Sequence, residues 1–452
     1  MNNDQLQRIL QVSTADSGGG AEGTAWELYQ YFRRQGLASW LAVGRKYRDS
    51  PDVFELPRPK ATTLSGRILQ QLGNSARSLE GKLPGMRRFS RVCERLADPL
   101  RLQEWWQGLE EFHYPGTSDL LALCPHTPDL VHCHNLHGYY FDLGFLPKLS
   151  QQVPVVLNLH DAWLLTGHCS YFFACQTWQQ GCGNCPHLDT YPACRKDKTS
   201  ENWQRKAEIY ARSRFYVTAP SRWLLNQAQQ SMLHAVEYRL IPNSIDCTIF
   251  CPGNRQQART RLGLPLDQPI VLFCAAARNS IFKDPATMVE TMQRVAEQEP
   301  SVQFVCVGSK APLPALRRLP LRSLPYLRQP TLLADYYRAA DVFVHTARAE
   351  TFGKTITEAM ACGTPVAASD IGGIPEQVLP GKNGFLAPPE NAEALAARVL
   401  QILRLSAEEK ARLSSGAATQ GGKYPLQEQG NQLLEWYQEI IARERKDGLR
   451  AR

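Results

Sequence analysis

Apolar residues in this chain gather into short runs separated by stretches of amphipathic, helix-like period, and the runs predict strands. In the first half the predicted strands are Arg8–Ser13, Ser39–Val43, Leu130–Cys133, Val153–Leu159 and Phe215–Thr218. In the second half they are Pro269–Ala276, Val302–Val307, Val342–His345 and Pro365–Ser369. These runs are β-branched and apolar rather than alternating, which suits strands buried on both faces. Between them, segments such as Thr24–Arg34, Leu332–Ala339 and Thr355–Cys362 each carry one apolar stripe and read as covering helices. Strand and helix alternating in this way predict an α/β fold built on parallel sheets.

The alternation breaks in two places. Residues 51–115 read as a mainly helical excursion from the first domain. At Ile241-Pro242-Asn243-Ser244-Ile245-Asp246, followed by Pro252-Gly253, proline and asparagine punctuation reads as a linker. This predicts a first domain over 1–243 and a second over 244–424, with 425–452 forming a last helix and a basic tail. From Pro425 to Arg445, the residues Leu433, Trp436, Tyr437, Ile440 and Ile441 share one stripe. So apolar a stripe has to dock, and the helix is expected to cross back to the first domain.

A length of 452 residues fits two domains of roughly 200 residues each. Hydrophobic content of 43% and charged content of 21% describe a globular chain. No apolar run is long enough to span a bilayer, and the first ten residues lack a basic-then-apolar signal layout, so a cytoplasmic protein is expected. In a reducing compartment most of the thirteen cysteines act as small buried hydrophobes. The net charge of +8 is uneven, since Arg58 to Arg101 holds ten Lys and Arg against three Asp and Glu. That segment is either a solvated helical face or a surface for anionic lipid or a polyanionic acceptor. No nucleic-acid motif accompanies it, so nucleic acid is not expected as a partner.

Candidate chemistry is densest from Asp341 to Leu386. Strand Val342–His345 leads into a loop holding Glu350, and Phe352-Gly353-Lys354-Thr355 then opens a helix carrying Glu358. Glu350 thus falls beyond a strand's carboxyl end, where open α/β sheets bind ligands. The helix N-terminus offers N–H groups to a phosphate, and Glu358 can accept hydrogen bonds from paired hydroxyls such as those of a ribose.

Glu350, seven residues, Glu358 and the run Ala359–Val366 resemble the signature of the family 4 retaining glycosyltransferases, as do Phe352-Gly353 and Gly372-Gly373-Ile374-Pro375-Glu376. The resemblance implies the GT-B fold, two Rossmann-like domains facing each other across a cleft. It implies that Arg278 and Lys283 bind the diphosphate of a nucleotide sugar, where fixed cations meet the charge of the leaving group. Ala277 departs from the family's usual Gly. It also implies that the loop Ser17-Gly18-Gly19-Gly20 meets the donor phosphates and the acceptor, and that His160 contacts the donor sugar with Asp161 as its orienting partner. His134, Asn135 and His137 read as ordinary loop polarity.

Between His168 and Cys194, the residues Cys169, Cys175, Cys182 and Cys185 are either ligands of one structural zinc or free thiols; an iron–sulfur cluster is a third reading. With His160-Asp161-Ala162-Trp163 and Thr166-Gly167-His168-Cys169, this insert (168–194) resembles a subset of family 4 that builds bacterial exopolysaccharides of the colanic acid and amylovoran type. The implied reaction is retaining transfer to a lipid-linked or oligosaccharide acceptor, in which the departing phosphate takes the proton. No Asp-x-Asp triad lies near the predicted strand ends, so catalysis without a divalent ion or other cofactor is expected. The rival readings are a sugar-nucleotide epimerase of the same fold and a non-catalytic glycan-binding homologue.

Overall fold

The computed structural model describes residues 6–58, 61, 63–79, 83–274, 281–308 and 316–448. The chain forms two compact units, the first made of Met1–Ala219, Leu225–Arg239 and Leu434–Arg452, the second of Pro220–Leu224 and Leu240–Leu433.

The first unit is built on a seven-stranded sheet of order β3-β2-β1-β4-β5-β6-β7. The strands are β1 (Arg8–Ala15), β2 (Ala38–Arg45), β3 (Val53–Glu55), β4 (Leu130–Cys133), β5 (Val155–Asn158), β6 (Tyr216–Ala219) and β7 (Tyr238–Leu240). Pairing is parallel from β3 through β6. Leu10 of β1 lies between Trp40 and Val131 in register, and Ile9, Leu10 and Val12 are fully buried, as two-faced burial requires. The helix Gly20–Arg34 follows β1 and turns Ala25, Leu28 and Phe32 inward.

The excursion holds the helices Leu64–Ser78, Met86–Leu96 and Pro99–Gln107, preceded by an unpredicted edge strand, Val53–Glu55, that pairs with β2. Three residues are too few to produce a readable apolar period.

The second unit has a six-stranded sheet of order β10-β9-β8-β11-β12-β13, all parallel. Its strands are β8 (Ile270–Cys274), β9 (Gln303–Val307), β10 (Leu321–Leu324), β11 (Val342–His345), β12 (Val366–Ser369) and β13 (Gly384–Ala387). Strand order reverses between β8 and β11, which makes their carboxyl ends the binding edge of this sheet. In the first unit the same reversal falls between β1 and β4.

The last helix, Leu426–Lys446, starts in the second unit, and from Leu434 it belongs to the first. There Trp436 and Tyr437 are fully buried. The Tyr437 hydroxyl is hydrogen-bonded to His132 Nδ1 at 2.6 Å, and Trp436 Nε1 donates to Glu237 at 2.9 Å. The apolar stripe therefore docks as its sequence demands. Among the described residues no helix is long and apolar enough to cross a membrane.

Candidate functional site

In the second unit, four chain segments converge beyond the carboxyl ends of β8 and β11. Lys283 sits in the turn after β8, and its carbonyl accepts from Thr346 Oγ1 at 2.7 Å, which ties this turn to the loop after β11. Its ammonium donates to Glu350 Oε2 at 2.5 Å, and His345 Nε2 lies 3.6 Å from the same oxygen. Glu350 Oε1 accepts from the backbone N–H of Thr351 at 3.1 Å and of Phe352 at 3.4 Å. Burial alone would raise the Glu350 carboxyl, but Lys283, His345 and these N–H groups outweigh it and lower its pKa to about 2. Glu350 is therefore a fixed anion at neutral pH.

The loop is held from behind by Gly372 at φ +60°, where a Cβ would strike the Glu350 carbonyl at 1.8 Å. Only glycine allows so close an approach. Gly353, at φ +88°, turns the chain into the helix Lys354–Ala361. One turn on, Glu358 Oε2 accepts from the buried Tyr337 hydroxyl at 3.1 Å. Tyr337 was not singled out in the sequence; a tyrosine within a helix's apolar stripe carries no signal of its own. Arg278 and Ala277 lie outside the described residues.

The first unit aligns polar groups along three adjacent strands. Gln11 of β1, His134 after β4 and His160 after β5 form one buried row. His134 Nε2 is hydrogen-bonded to Gln11 Oε1 at 2.7 Å, and His134 Nδ1 to His160 Nε2 at 2.8 Å. Burial, then the neighbouring His132 and His160, push the His134 pKa well below its ordinary value, so its ring is neutral. His134 is thus no loop residue of ordinary polarity, because the strand order places it between two other buried groups. Asp161 was expected to orient His160, but its carboxylate pairs with His137 Nε2 at 2.7 Å and accepts from Trp163 N–H at 2.9 Å. Burial raises the Asp161 carboxyl, yet His137 outweighs it and the pKa falls below the usual range.

At the glycine loop, Thr14 Oγ1 donates to Glu22 Oε1 at 2.6 Å, and Glu22 Oε2 would lie 3.0 Å from a Cβ on Gly19. A carboxylate here repels a phosphate and suits hydroxyl groups, which bears on the role expected of Gly18, Gly19 and Gly20.

The segment beyond Asp161 is anchored by Lys206, a fully buried lysine the sequence reading passed over. Its ammonium donates to the carbonyls of Trp163 at 2.9 Å and Thr166 at 3.0 Å, lies 2.8 Å from Glu110 Oε2, and stacks 3.8 Å from the Trp163 ring centre. Removing it strands two carbonyls and a buried carboxylate. Lys206→Met is therefore expected to lower stability by about 3 kcal/mol, read as a fall in denaturation midpoint. A midpoint matching the parent's would show that the cation is dispensable.

Among the described residues no three His, Cys, Asp or Glu side chains are grouped to hold a metal ion. Cys182 Sγ accepts from Gly167 N–H at 3.2 Å, Cys175 Sγ contacts Thr177 Oγ1 at 3.1 Å, and Cys185 Sγ lies 3.4 Å from His168 Nε2. Burial raises the Cys169 thiol to about 12 and the Cys182 thiol to about 11, so both are protonated at neutral pH. Charge interactions run among Cys169, Cys175, Cys182 and Cys185, so the four thiols are neighbours that a tetrahedral zinc would have to draw together as thiolates.

Two parallel, helix-covered sheets with polar groups at their carboxyl ends make this the GT-B fold. Solved structures share this fold. The sucrose-phosphate synthase of Thermosynechococcus elongatus matches with a TM-score of 0.64 at 19% identity, covering 96% of this chain and 100% of that one. Anabaena HepE in complex with UDP matches with a TM-score of 0.63 at 18% identity, over 95% and 99% of the two chains.

The family model for glycosyl transferases group 1 matches residues 254–420. The D-inositol 3-phosphate glycosyltransferase 1 of Catenulispora acidiphila is 31% identical over 339 residues, 70% of this chain and 73% of its own. The D-inositol 3-phosphate glycosyltransferase of Xylanimonas cellulosilytica is 33% identical over 221 residues, 45% of this chain, and the match spans about half (52%) of that relative. The chain belongs to the group 1 glycosyltransferases.

Proposed function

We propose that the protein transfers a sugar, with retention, from a nucleotide-diphosphate sugar to a glycan acceptor in cell-surface or exopolysaccharide synthesis. The observation that carries this reading is the cluster of half-buried Lys283 with buried Glu350 and His345, beside the helix that bears Glu358. Lys283 spends one of its three N–H donors on Glu350 and lies 3.5 Å from His345 Nε2 with a second, leaving one direction for a diphosphate. Arg278 would join it as the charge of the leaving group grows, Glu350 would hold the sugar, and Glu358 the ribose hydroxyls. The departing phosphate takes the acceptor's proton, so no separate base is required.

On this reading the first unit serves the acceptor through the glycine loop, and its His160 contacts the donor sugar. The carboxylate of Glu22 favours a hydroxyl-rich acceptor there over a phosphate-bearing one. The acceptor is proposed to be lipid-linked, which would bring the enzyme to a membrane face with its basic excursion toward the lipid.

The test is a screen of uridine, guanosine and adenosine diphosphate sugars, offered with lipid-linked oligosaccharide or with inositol 3-phosphate, the acceptor in the relatives' name. Nucleoside diphosphate release that depends on the glycan acceptor supports the proposal, and release only with inositol 3-phosphate reassigns the acceptor. Nucleotide-sugar turnover without any acceptor would point to an epimerase, and binding without turnover to a non-catalytic homologue. Glu358→Ala is expected to weaken the productive nucleotide sugar at least about tenfold, since a ribose hydrogen-bonded to a charged group loses that much or more. Chelation with EDTA is expected to leave the rate unchanged, because Arg278 and Lys283 take the place of a divalent ion.

A further inference from the structure

The helices Leu64–Ser78 and Met86–Leu96 are packed inside out for a protein surrounded by water. Their mutual contact is made of small residues. Gly73, Ala76, Ser90 and Cys93 are buried, and a Cβ on Gly73 would already touch Cys93 Cβ at 3.2 Å and the Ser90 carbonyl at 3.3 Å. The large apolar residues point the other way. Leu64, Ile68 and Leu72 follow each other at intervals of four, and Phe89, Val92 and Leu96 at three and four, so each helix carries one continuous stripe. Leu64 is 76% exposed and the other five lie between 45% and 53%. Amphipathic helices in water turn their large apolar side inward. Small residues inside and large ones outside is how helices pack against each other in lipid.

Charge narrows the identity of what covers this face. Among the described residues, Arg58 and Arg77 are engaged by Glu55 and Glu94, and Arg95 and Arg101 by Glu111. Arg67, Arg88 and Arg91 are exposed, interleaved with the apolar stripes. A second copy of the same surface would bring like charges together. An anionic bilayer satisfies both components, taking the apolar side chains below its headgroups and the guanidinium groups at them.

We propose that this helix pair lies flat on an anionic membrane, its stripes buried at the boundary between headgroups and acyl chains, as a surface attachment. The benefit to a lipid-linked acceptor rests on the reading of function above; the attachment itself does not.

The experiment is co-sedimentation of the full chain with vesicles of phosphatidylcholine alone and of an equal mixture with phosphatidylglycerol. Wild type is expected to sediment with the mixed vesicles. Ile68→Ser, Leu72→Ser and Phe89→Ser together should lower partitioning by about tenfold or more without lowering the melting temperature, because these side chains leave water only in lipid. Arg67→Gln, Arg88→Gln and Arg91→Gln together should abolish the preference for phosphatidylglycerol and the sensitivity to salt.

Wild type remaining in the supernatant with both vesicle types at low salt would overturn the proposal. So would a serine variant that binds like wild type, or a vesicle-free dimer that the serine changes dissolve. Nucleoside diphosphate release in vesicle-free buffer is scored separately. Vesicle binding without any such release would remove the glycosyltransferase reading and leave the attachment standing.

Discussion

Glu350→Gln is expected to lower transfer by about two to three powers of ten, because it deletes a fixed charge and little volume, and to lower the melting temperature as well, because the folded state favours this carboxyl in its ionised form. The two partners are unequally buried. The Glu350 side chain is 11% exposed, whereas that of Lys283 is 32% exposed. Neutralising the buried member leaves an ammonium that water still reaches. Lys283→Met does the reverse and strands a buried carboxylate, so it should cost about 3 kcal/mol of stability in addition to activity.

Melts taken with both variants separate the catalytic contribution from the structural one. Initial rates of nucleoside diphosphate release, measured beside thermal melts, read both quantities. If Glu350→Gln kept its rate within a factor of a few, Glu350 would not be touching the sugar, and the proposed donor site would have to be redrawn.

What the sequence disclosed, and what it withheld, follows from burial. All nine predicted strands exist, and Leu130–Cys133 and Val342–His345 match to the residue. These are interior strands whose two covered faces demand an unbroken apolar run. The four strands that went unread, Val53–Glu55, Tyr238–Leu240, Leu321–Leu324 and Gly384–Ala387, are the four edges of the two sheets. An edge strand is short and only part-covered, so neither an apolar run nor a clean alternation marks it.

The site divides along the same line. Glu350 and Glu358 stand in one local motif, so their grouping is visible in one dimension, whereas Lys283 joins them from 67 positions away and was placed there only by the family resemblance. The row Gln11–His134–His160 joins residues 123 and 26 positions apart, and only the strand order β1-β4-β5 places them side by side. Asp161 pairs with His137, a choice that a strand-end turn makes and that composition does not record. Lys206 was invisible for a further reason. A lone lysine in a helix reads as a solvated charge, and its burial depends on Glu110, nearly a hundred residues earlier in the chain.

Both units should be acid-labile well above the range in which carboxylates titrate, because each holds a fully buried imidazole as the neutral ring. His132 in the first unit has its pKa lowered to about 3, first by burial and then by His160. His345 in the second is lowered to about 3 as well, by burial and then by the Lys283 ammonium, with Glu350 pulling the other way. The unfolded rings titrate near the ordinary 6.5. Below that value the unfolded chain takes up protons that the folded chain refuses. The stabilisation is therefore complete above about pH 6.5 and is lost progressively as the pH falls toward 3.

At pH 5 the loss from each ring is about 2 kcal/mol, and His134, shifted in the same direction, adds to it in the first unit. Glu350 begins to contribute only below its ordinary value of 4.5, over the window down to about 2. Melting temperatures measured from pH 7.5 to 4 should fall steeply through this range. His132→Gln should flatten the fall for the first unit, since it removes the imidazole that the unfolded state protonates. A melting temperature unchanged between pH 7 and 5 would mean that these rings are hydrated or charged in the native protein.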